Sequence, residues 1–152
     1  DFYGKLVNVP DDLLDKRIWE LLEMTDLTDR AHMRVSTFSG GMRRKLEIVR
    51  AFIHRPLILF LDEPSAGLDP ISARNLDQLI LELRESLGAT VIIVTHELAS
   101  IYAIATNSVF LDSDSKTMLA TGDPKQLVRE CTHPTVLQFL TRGTGNREVC
   151  TV

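Results

Sequence analysis

Apolar residues recur at helical spacing in three long stretches of this chain. The first stretch follows the acidic pair at Asp11, which we expect to cap a helix. The second begins at Met42, directly after two glycines. The third begins with Asp69-Pro70, an N-cap followed by a first-turn proline, and ends near Gly88. The predicted buried faces of the three helices are Leu14, Ile18, Leu21 and Leu22; Leu46, Val49 and Ile53; and Leu76, Leu79, Ile80 and Leu83.

Two shorter runs, residues 57–61 and 90–95, are apolar almost throughout, which favours strands buried on both faces. Residues 108–112 and 117–121 predict a hairpin around a polar turn. Because these strands alternate with helices, the chain is expected to have an α/β fold with a parallel sheet.

The end of the chain predicts a helix over residues 97–105 and two short helices that begin at Pro124 and Pro134. From residue 143 onward, glycine, threonine and charged residues predict a disordered tail, 143–152. Residues 1–142 are long enough to bury one domain core.

Composition excludes several classes of protein. A net charge of −4 gives no bulk attraction for nucleic acid. The basic run Arg43-Arg44-Lys45 is interpreted as a solvated helix face. No apolar run is long enough to span a bilayer, no signal peptide opens the sequence, and the two cysteines lack metal-ligand spacing. These features favour a reduced, cytosolic protein.

Three side chains stand where the two apolar strands end. Asp62 and Glu63 follow the first strand, and His96 follows the second. Ligands of open α/β sheets gather at the carboxyl ends of strands, so the three are expected in one crevice if the strands are neighbours. Successive strand residues point to opposite sides, so the two carboxylates are expected to have different tasks. The alternative is that Asp-Glu-Pro only ends a strand and starts a turn.

Ser39-Gly40-Gly41 stands at the start of a predicted helix. The free N–H groups and positive dipole end of such a helix attract phosphate, and a Cβ at a glycine would block the approach of the anion. The alternative is an ordinary serine N-cap.

These elements, taken in order, resemble the ATPase cassette of ABC transporters. They are residues 38–42, the apolar strand ending in Asp-Glu-Pro, residues 65–69, and Thr95-His96, and the resemblance covers about Leu13 to Leu127. It implies a P-loop NTPase-like parallel sheet with part of the helical subdomain. The G-x-x-x-x-G-K-[ST] phosphate loop of that family does not occur in the 152 residues. We therefore expect a partial domain, with the helical subdomain and signature helix over about 1–55 and a catalytic-core portion over about 56–142.

The resemblance implies a role for each strand-end residue. Asp62 helps to hold Mg²⁺, Glu63 polarises the water that attacks the γ-phosphate of ATP, and His96 contacts that phosphate and orients the water. Two adjacent carboxylates repel each other, and a bound cation would compensate for this.

A second set of roles concerns the opposite subunit of a dimer. The resemblance implies that Ser39, Gly40, Gly41 and Met42 bind ATP held by that subunit, and that Asp69 couples the two sites at the dimer interface. Phenylalanine at position 38 and methionine at position 42 replace the family's usual leucine and glutamine.

The function implied is that of an ATP-binding, ATP-hydrolysing subunit of a bacterial transporter, with ATP and Mg²⁺ as cofactors. Its expected partners are a second ATPase subunit, as a homodimer, and a transmembrane permease. Its expected location is the cytoplasmic face of the cell membrane, as a peripheral protein. Without a phosphate loop, the 152-residue chain alone is expected to be inactive.

Residues 64–72, 95–101 and 133–140 resemble ATPases of lipid-asymmetry and organic-solvent-tolerance systems. This favours a phospholipid or another hydrophobic substrate and a lipid-binding partner. The run Gly-Gly-Met-Arg-Arg is shared with drug-export ATPases, which are the alternative. Two other classes stay open: a soluble ABC ATPase outside transport, which would need a duplicated cassette or coiled coil, and a non-catalytic module, against which Glu63 argues.

Overall fold

The structure is a computed structural model that describes residues 2–142 of the chain. Two compact units are present, Asp1–Thr95 and His96–Val152. The first contains helices α1 (Phe2–Leu6), α2 (Asp11–Met24), α3 (Gly40–Phe52) and α4 (Pro70–Leu87), and strands β1 (Ile58–Asp62) and β2 (Thr90–Val94). The second contains α5 (Leu98–Ile104), β3 (Ser108–Leu111), β4 (Met118–Gly122), α6 (Pro124–Glu130) and α7 (Pro134–Leu140). The predicted tail, 143–152, lies outside the described residues.

Helix α4 agrees with its prediction from end to end. Asp69 is the N-cap, Pro70 lies in the first turn, and Gly88 ends the helix with a φ of 66°. Only glycine adopts that conformation without a steric cost from Cβ. All four predicted core residues are buried, and Leu83 is 0% exposed.

Helix α2 starts differently from the prediction. Its N-cap is Pro10, whose carbonyl accepts hydrogen bonds from the N–H groups of Leu13 and Leu14. The expectation that Asp11 caps this helix is therefore wrong, since Asp11 and Asp12 already lie in its first turn. There the helix dipole still favours their negative charge.

Helix α3 buries a face that is rotated from the predicted one. Ile48 and Phe52 join Val49 and Ile53 in the core, whereas Leu46 is only half-buried. The helix packs against both α2 and α4, so its buried stripe is wider than one predicted row. Helix α1 and two 3₁₀ turns, Thr28–Arg30 and Val35–Thr37, were not predicted because each is too short to show a helical period.

Strands β1 and β2 pair in parallel, with Ile58 opposite Thr90 and Asp62 opposite Val94. The prediction that both are buried on two faces is wrong for the described chain, because exposed and half-buried residues alternate along each strand. Phe60, for example, is 72% exposed. An apolar composition allows a strand to be buried. Whether the strand is buried depends on whether other elements pack against each face of the sheet. In this unit only one sheet face is partly covered.

The second unit has its own core, formed by Leu98, Val128, Val136 and Leu140. Its hairpin pairs β3 and β4 in antiparallel register, as predicted, with an irregularity between Phe110 and Leu111. Among the described residues, no helix is both long enough and apolar enough to cross a membrane.

Candidate functional site

The start of α3 is an open turn. Ser39 is its N-cap, and the Ser39 hydroxyl accepts a hydrogen bond from the N–H of Met42 at 3.2 Å. Ser39 and Gly40 are exposed, and a Cβ built on Gly40 would meet nothing within 4 Å. The first N–H groups of any α-helix lack carbonyl partners within that helix. This turn, Ser39–Gly41, therefore presents backbone donors beside open space.

Gly41 lies against the start of α4. A Cβ at Gly41 would approach the Ser72 hydroxyl oxygen to 3.3 Å, which is a tight contact. From the sequence, a glycine at position 41 is expected to allow the close approach of an anion. The structure adds a second reason for glycine, which is the contact with Ser72. A side chain here would press on the first turn of the neighbouring helix.

Asp69 stabilises that same first turn of α4. One of its carboxylate oxygens accepts hydrogen bonds from the N–H groups of Ile71 and Ser72, both at 3.0 Å. The Ser72 hydroxyl, followed by these backbone donors, holds the pKa of the Asp69 carboxyl below its ordinary value of 3.8. Asp69 is thus a helix cap, and through Ser72 it lies close to Gly41.

Glu63 begins a second, differently constructed turn. Strand β1 ends at Asp62, and the N–H of Glu63 donates to the Val94 carbonyl at 2.8 Å. The backbone of Glu63 then turns into the left-handed region, with a φ of 42°. Its half-buried carboxylate accepts a hydrogen bond from the Thr95 hydroxyl at 3.1 Å. The two strands are neighbours, which was the condition for bringing their ends together, and Glu63 lies where both end.

Arg44 of α3 holds the same turn. Its guanidinium donates to the carbonyls of Pro64 at 2.6 Å, Glu63 at 2.9 Å and Asp62 at 3.2 Å. It also forms an ion pair with Glu47 at 3.0 Å. These three consecutive carbonyls define the Asp62–Pro64 turn, which is therefore attached to α3 by one side chain.

The interpretation of Arg43-Arg44-Lys45 as a solvated face is consequently wrong for Arg44 and Lys45, which are half-buried, whereas Arg43 is exposed as predicted. Arg43 donates to the Phe38 carbonyl at 3.0 Å, and Lys45 donates to the Thr25 carbonyl at 3.4 Å. Each basic side chain reaches a backbone carbonyl outside its own helix. Buried and half-buried carbonyls need donors, and long basic side chains supply them while keeping contact with water.

His96 is the first residue of the second unit. Its side chain is 71% exposed, and its Nε2 lies 3.9 Å from a carboxylate oxygen of Glu97. It follows Thr95 directly in the chain, and Thr95 contacts Glu63. The convergence of His96 with the two carboxylates stays a prediction from the sequence.

At the end of β1, the carboxylate of Asp62 is exposed and accessible to a cation. Within residues 2–142, no group of three or more His, Cys, Asp or Glu side chains could hold a metal ion. Mg²⁺ commonly binds through one or two carboxylates together with substrate phosphates and water. The donor chemistry at the end of β1 fits that kind of shared site and does not fit a metal cage made by protein alone.

Sequence reasoning missed two members of this site. In the sequence, Arg44 is recognisable only as part of a basic run, because the carbonyls that it binds lie 18 to 20 positions further along the chain. Thr95 was interpreted as the end of a strand and as the residue before the motif histidine, without a role of its own. Its position one residue beyond the parallel partner of Asp62 was the available signal, since equal registers bring strand ends together.

Comparison with known sequences identifies what the chain resembles. A sequence profile described as ABC transporter matches residues 7–66. The linearmycin resistance ATP-binding protein LnrL of Bacillus subtilis (strain 168) is 32% identical over 142 residues, which cover 93% of this chain and 45% of that protein. The methionine import ATP-binding protein MetN of Haemophilus ducreyi is 30% identical over 136 residues, covering 90% of this chain and 39% of that protein. This chain thus spans less than half the length of these relatives.

A longer relative and a solved structure show the same similarity. The phospholipid-transporting ATPase ABCA3 of Rattus norvegicus is 32% identical over 148 residues, covering 97% of this chain and 8% of that protein. The structure of cbiO1 from Clostridium perfringens, described as part of the ABC transporter complex cbiONQ, matches with a TM-score of 0.75 and 28% identity. That match covers 86% of this chain and 52% of cbiO1.

Proposed function

We propose that this chain, which carries part of an α/β ABC transporter ATP-binding domain, binds and hydrolyses ATP as the later part of a longer subunit. We call that protein the full-length subunit, meaning this chain preceded by a segment with a phosphate loop. The lengths of LnrL and MetN support it, because the chain covers 45% and 39% of them. One observation carries the chemistry: the Glu63 carboxylate is held by Thr95 at the joint end of two parallel strands.

Within the site, Glu63 polarises the attacking water and accepts its proton. Its hydrogen bond from Thr95 fixes the orientation of the carboxylate, and a general base must be held within hydrogen-bond reach of the proton that it accepts. Asp62 would help to hold Mg²⁺, which supplies electrostatic stabilisation of the transferring phosphoryl group when it is bound. His96 contacts the γ-phosphate, and its exposure leaves the imidazole accessible to a ligand.

The turn Ser39–Gly41, with Met42, receives the γ-phosphate of ATP held by a second subunit. The open space beside Gly40 and the N-terminal position on α3 support this role. Asp69 contributes at the same dimer interface, because its helix cap lies beside Gly41 through Ser72.

The remaining organisation follows from the same premise. Residues of about 1–55 form part of the helical subdomain with the signature helix, and about 56–142 form a portion of the catalytic core. The full-length subunit pairs with a second copy and with a transmembrane permease at the cytoplasmic face of the membrane. The description of cbiO1 as part of a transporter complex supports a permease partner by similarity.

For the transported substrate we propose a phospholipid or another hydrophobic compound, with a lipid-binding partner protein. The support is the resemblance of residues 64–72, 95–101 and 133–140 to lipid-asymmetry ATPases, together with the 32% identity to a phospholipid-transporting ATPase. Drug export is the second candidate. The 32% identity to a linearmycin resistance protein favours it.

Substitution of Glu63 by glutamine in the full-length subunit tests the hydrolytic role. Glutamine keeps the shape of glutamate but cannot accept a proton from water, so turnover is expected to fall by about 10²–10⁴-fold. ATP should stay bound and accumulate in a closed dimer. Phosphate release and ATP-dependent dimerisation by size-exclusion chromatography measure the two effects.

Glu82→Gln is the matched control, because Glu82 is an exposed glutamate on α4 whose carboxylate bonds Gln78 of the same helix. It is expected to retain full turnover. The 152-residue chain alone is expected to show none. Wild-type turnover by Glu63→Gln would contradict the role proposed for Glu63.

A further inference from the structure

Arg44 makes an unusual set of contacts for an arginine on a helix surface. Its side chain is 33% exposed, yet it donates to three consecutive carbonyls of the Asp62–Pro64 turn. The Pro64 nitrogen carries no hydrogen, so this turn has fewer donors of its own than other turns. One planar guanidinium on a neighbouring helix supplies the hydrogen bonds instead.

The turn that Arg44 holds is strained at its central residue. Glu63 has a φ of 42°, a conformation that costs a residue with a side chain free energy and persists only where surrounding contacts enforce it. The N–H of Glu63 is held by Val94 at 2.8 Å. Its carbonyl accepts hydrogen bonds from Arg44 at 2.9 Å and from the N–H of Ala66 at 3.1 Å. Arg44 is therefore a long-range contact on the carbonyl side of this residue.

The chemistry of the contact requires arginine. A guanidinium presents several N–H donors in a rigid plane, whereas the ammonium of lysine is a compact charge on a flexible chain. Here Nε reaches the Pro64 carbonyl while one terminal nitrogen bridges the carbonyls of Asp62 and Glu63. A lysine can occupy only part of this arrangement.

We propose that Arg44 is a positioning residue for Glu63: it fixes the Asp62–Pro64 turn so that the Glu63 carboxylate is held in its reactive orientation. This inference rests on the proposed function of Glu63. Arg44 also lies one helical turn after Gly40, so it joins the helix that starts at Ser39–Gly41 to the turn that carries Glu63.

The test compares Arg44→Ala, Arg44→Lys and Arg84→Ala in the full-length subunit. Arg84 is a matched control, since it lies on α4, is 31% exposed and pairs with its neighbour Glu85. A displacement of about 1 Å at a catalytic group can reduce turnover about 10²-fold. We expect Arg44→Ala to lower kcat by about 10- to 100-fold with little change in the KM for ATP. Arg44→Lys should fall between that variant and wild type, and Arg84→Ala should match wild type.

Chemical rescue separates positioning from general support of the fold. Added guanidinium at millimolar concentration should restore part of the kcat of Arg44→Ala and should not alter Arg84→Ala. Amide hydrogen exchange at Glu63 and Ala66 should be faster in Arg44→Ala, because their hydrogen-bonded turn has lost its brace.

The outcomes distinguish this inference from the proposed function. If Glu63→Gln is inactive and Arg44→Ala keeps its kcat, the positioning role is wrong and the role of Glu63 stands. If Arg44→Ala lowers kcat and also raises the KM for ATP, and guanidinium restores neither, Arg44 supports the fold only. The inference is then likewise wrong. If Glu63→Gln is fully active, the proposed function itself has failed.

Discussion

The two turns of the candidate site are built in opposite ways. In the turn Ser39–Gly41, Ser39 and Gly40 are exposed, and the capping bond joins residues three positions apart. The turn Asp62–Pro64 is held by contacts from Arg44, Val94 and Thr95, which come from two other segments of the chain, α3 and the end of β2. We call Ser39–Gly41 the open turn, because it lies beside open space and is stabilised by a local bond. We call Asp62–Pro64 the braced turn, because it is strained and is held by contacts from distant parts of the chain.

This difference matches the two tasks proposed for them. A general base must be fixed relative to the water that it activates, so rigid support from several directions is useful. A helix start that receives a phosphate from another subunit must instead stay accessible until that subunit arrives. We infer that the braced turn serves the chain's own nucleotide and the open turn serves the nucleotide of its partner.

The largest effect on the open turn is expected from Gly41→Asp in the full-length subunit. The carboxylate places a negative charge where the γ-phosphate approaches, so the two repel each other. ATP binding by the monomer should persist, whereas ATP-induced dimerisation and hydrolysis should be lost. Equilibrium binding of ATP and size-exclusion chromatography measure the two properties separately.

Gly41→Asn is the matched control for that variant, because it has the same bulk without the charge. It also presses on Ser72, whose hydroxyl lies 3.3 Å from a Cβ at Gly41. Gly41→Asn should keep more dimerisation than Gly41→Asp. Equal loss in both variants would mean that steric bulk, and not repulsion of phosphate, is responsible.

On the braced turn, Thr95→Val removes the hydroxyl that donates to Glu63 while nearly conserving volume. One hydrogen bond contributes about 0.5–1.5 kcal/mol, and more to a charged group, so kcat should fall about 3- to 10-fold. Steady-state kinetics checks this, with Thr95→Ser expected to retain most of the rate. An unchanged kcat in Thr95→Val would show that this contact does not orient the carboxylate.

Ser39→Ala is expected to have the smallest effect, because the capping hydroxyl is lost while the backbone N–H groups of the turn, which receive the phosphate, are kept. Replacement of a capping serine typically lowers the free energy of unfolding by about 0.5–2 kcal/mol. Chemical denaturation should detect this loss, and hydrogen exchange at Glu63 should be unchanged. Faster exchange at Glu63 would contradict the view that the Ser39 cap acts only on the start of α3.

Features that depend on interactions between residues close in the sequence were predicted more accurately than features that depend on distant residues. Helix α4 was predicted with both ends because its cap, proline and terminal glycine act within a few residues. The Ser39 cap, which the sequence offered as the alternative to a phosphate-binding turn, is likewise a local feature and is present in the structure. Burial of β1 and β2 was wrong, since an apolar strand does not state what covers each face.

The braced turn has features that could not be predicted from the sequence. Its strand end and adjacent carboxylates are visible in the sequence, but the positive φ of Glu63 and the contact from Arg44 are not. Both depend on hydrogen bonds with residues distant in the sequence, Arg44 and Val94, which no local pattern records. The sequence therefore indicated the chemical groups of the site and missed the side chain that holds them.

The division of labour between the turns is tested most directly by mixing two inactive variants of the full-length subunit. One carries Gly41→Asp, and the other lacks its phosphate-loop lysine. If Ser39–Gly41 serves the partner's nucleotide, both lesions in a mixed dimer fall in the same composite site, and the other site is intact. The mixture should then regain ATP hydrolysis that neither variant has alone. If the mixed dimers form and stay inactive, each site carries one lesion, and the assignment of the open turn to the partner's nucleotide is wrong.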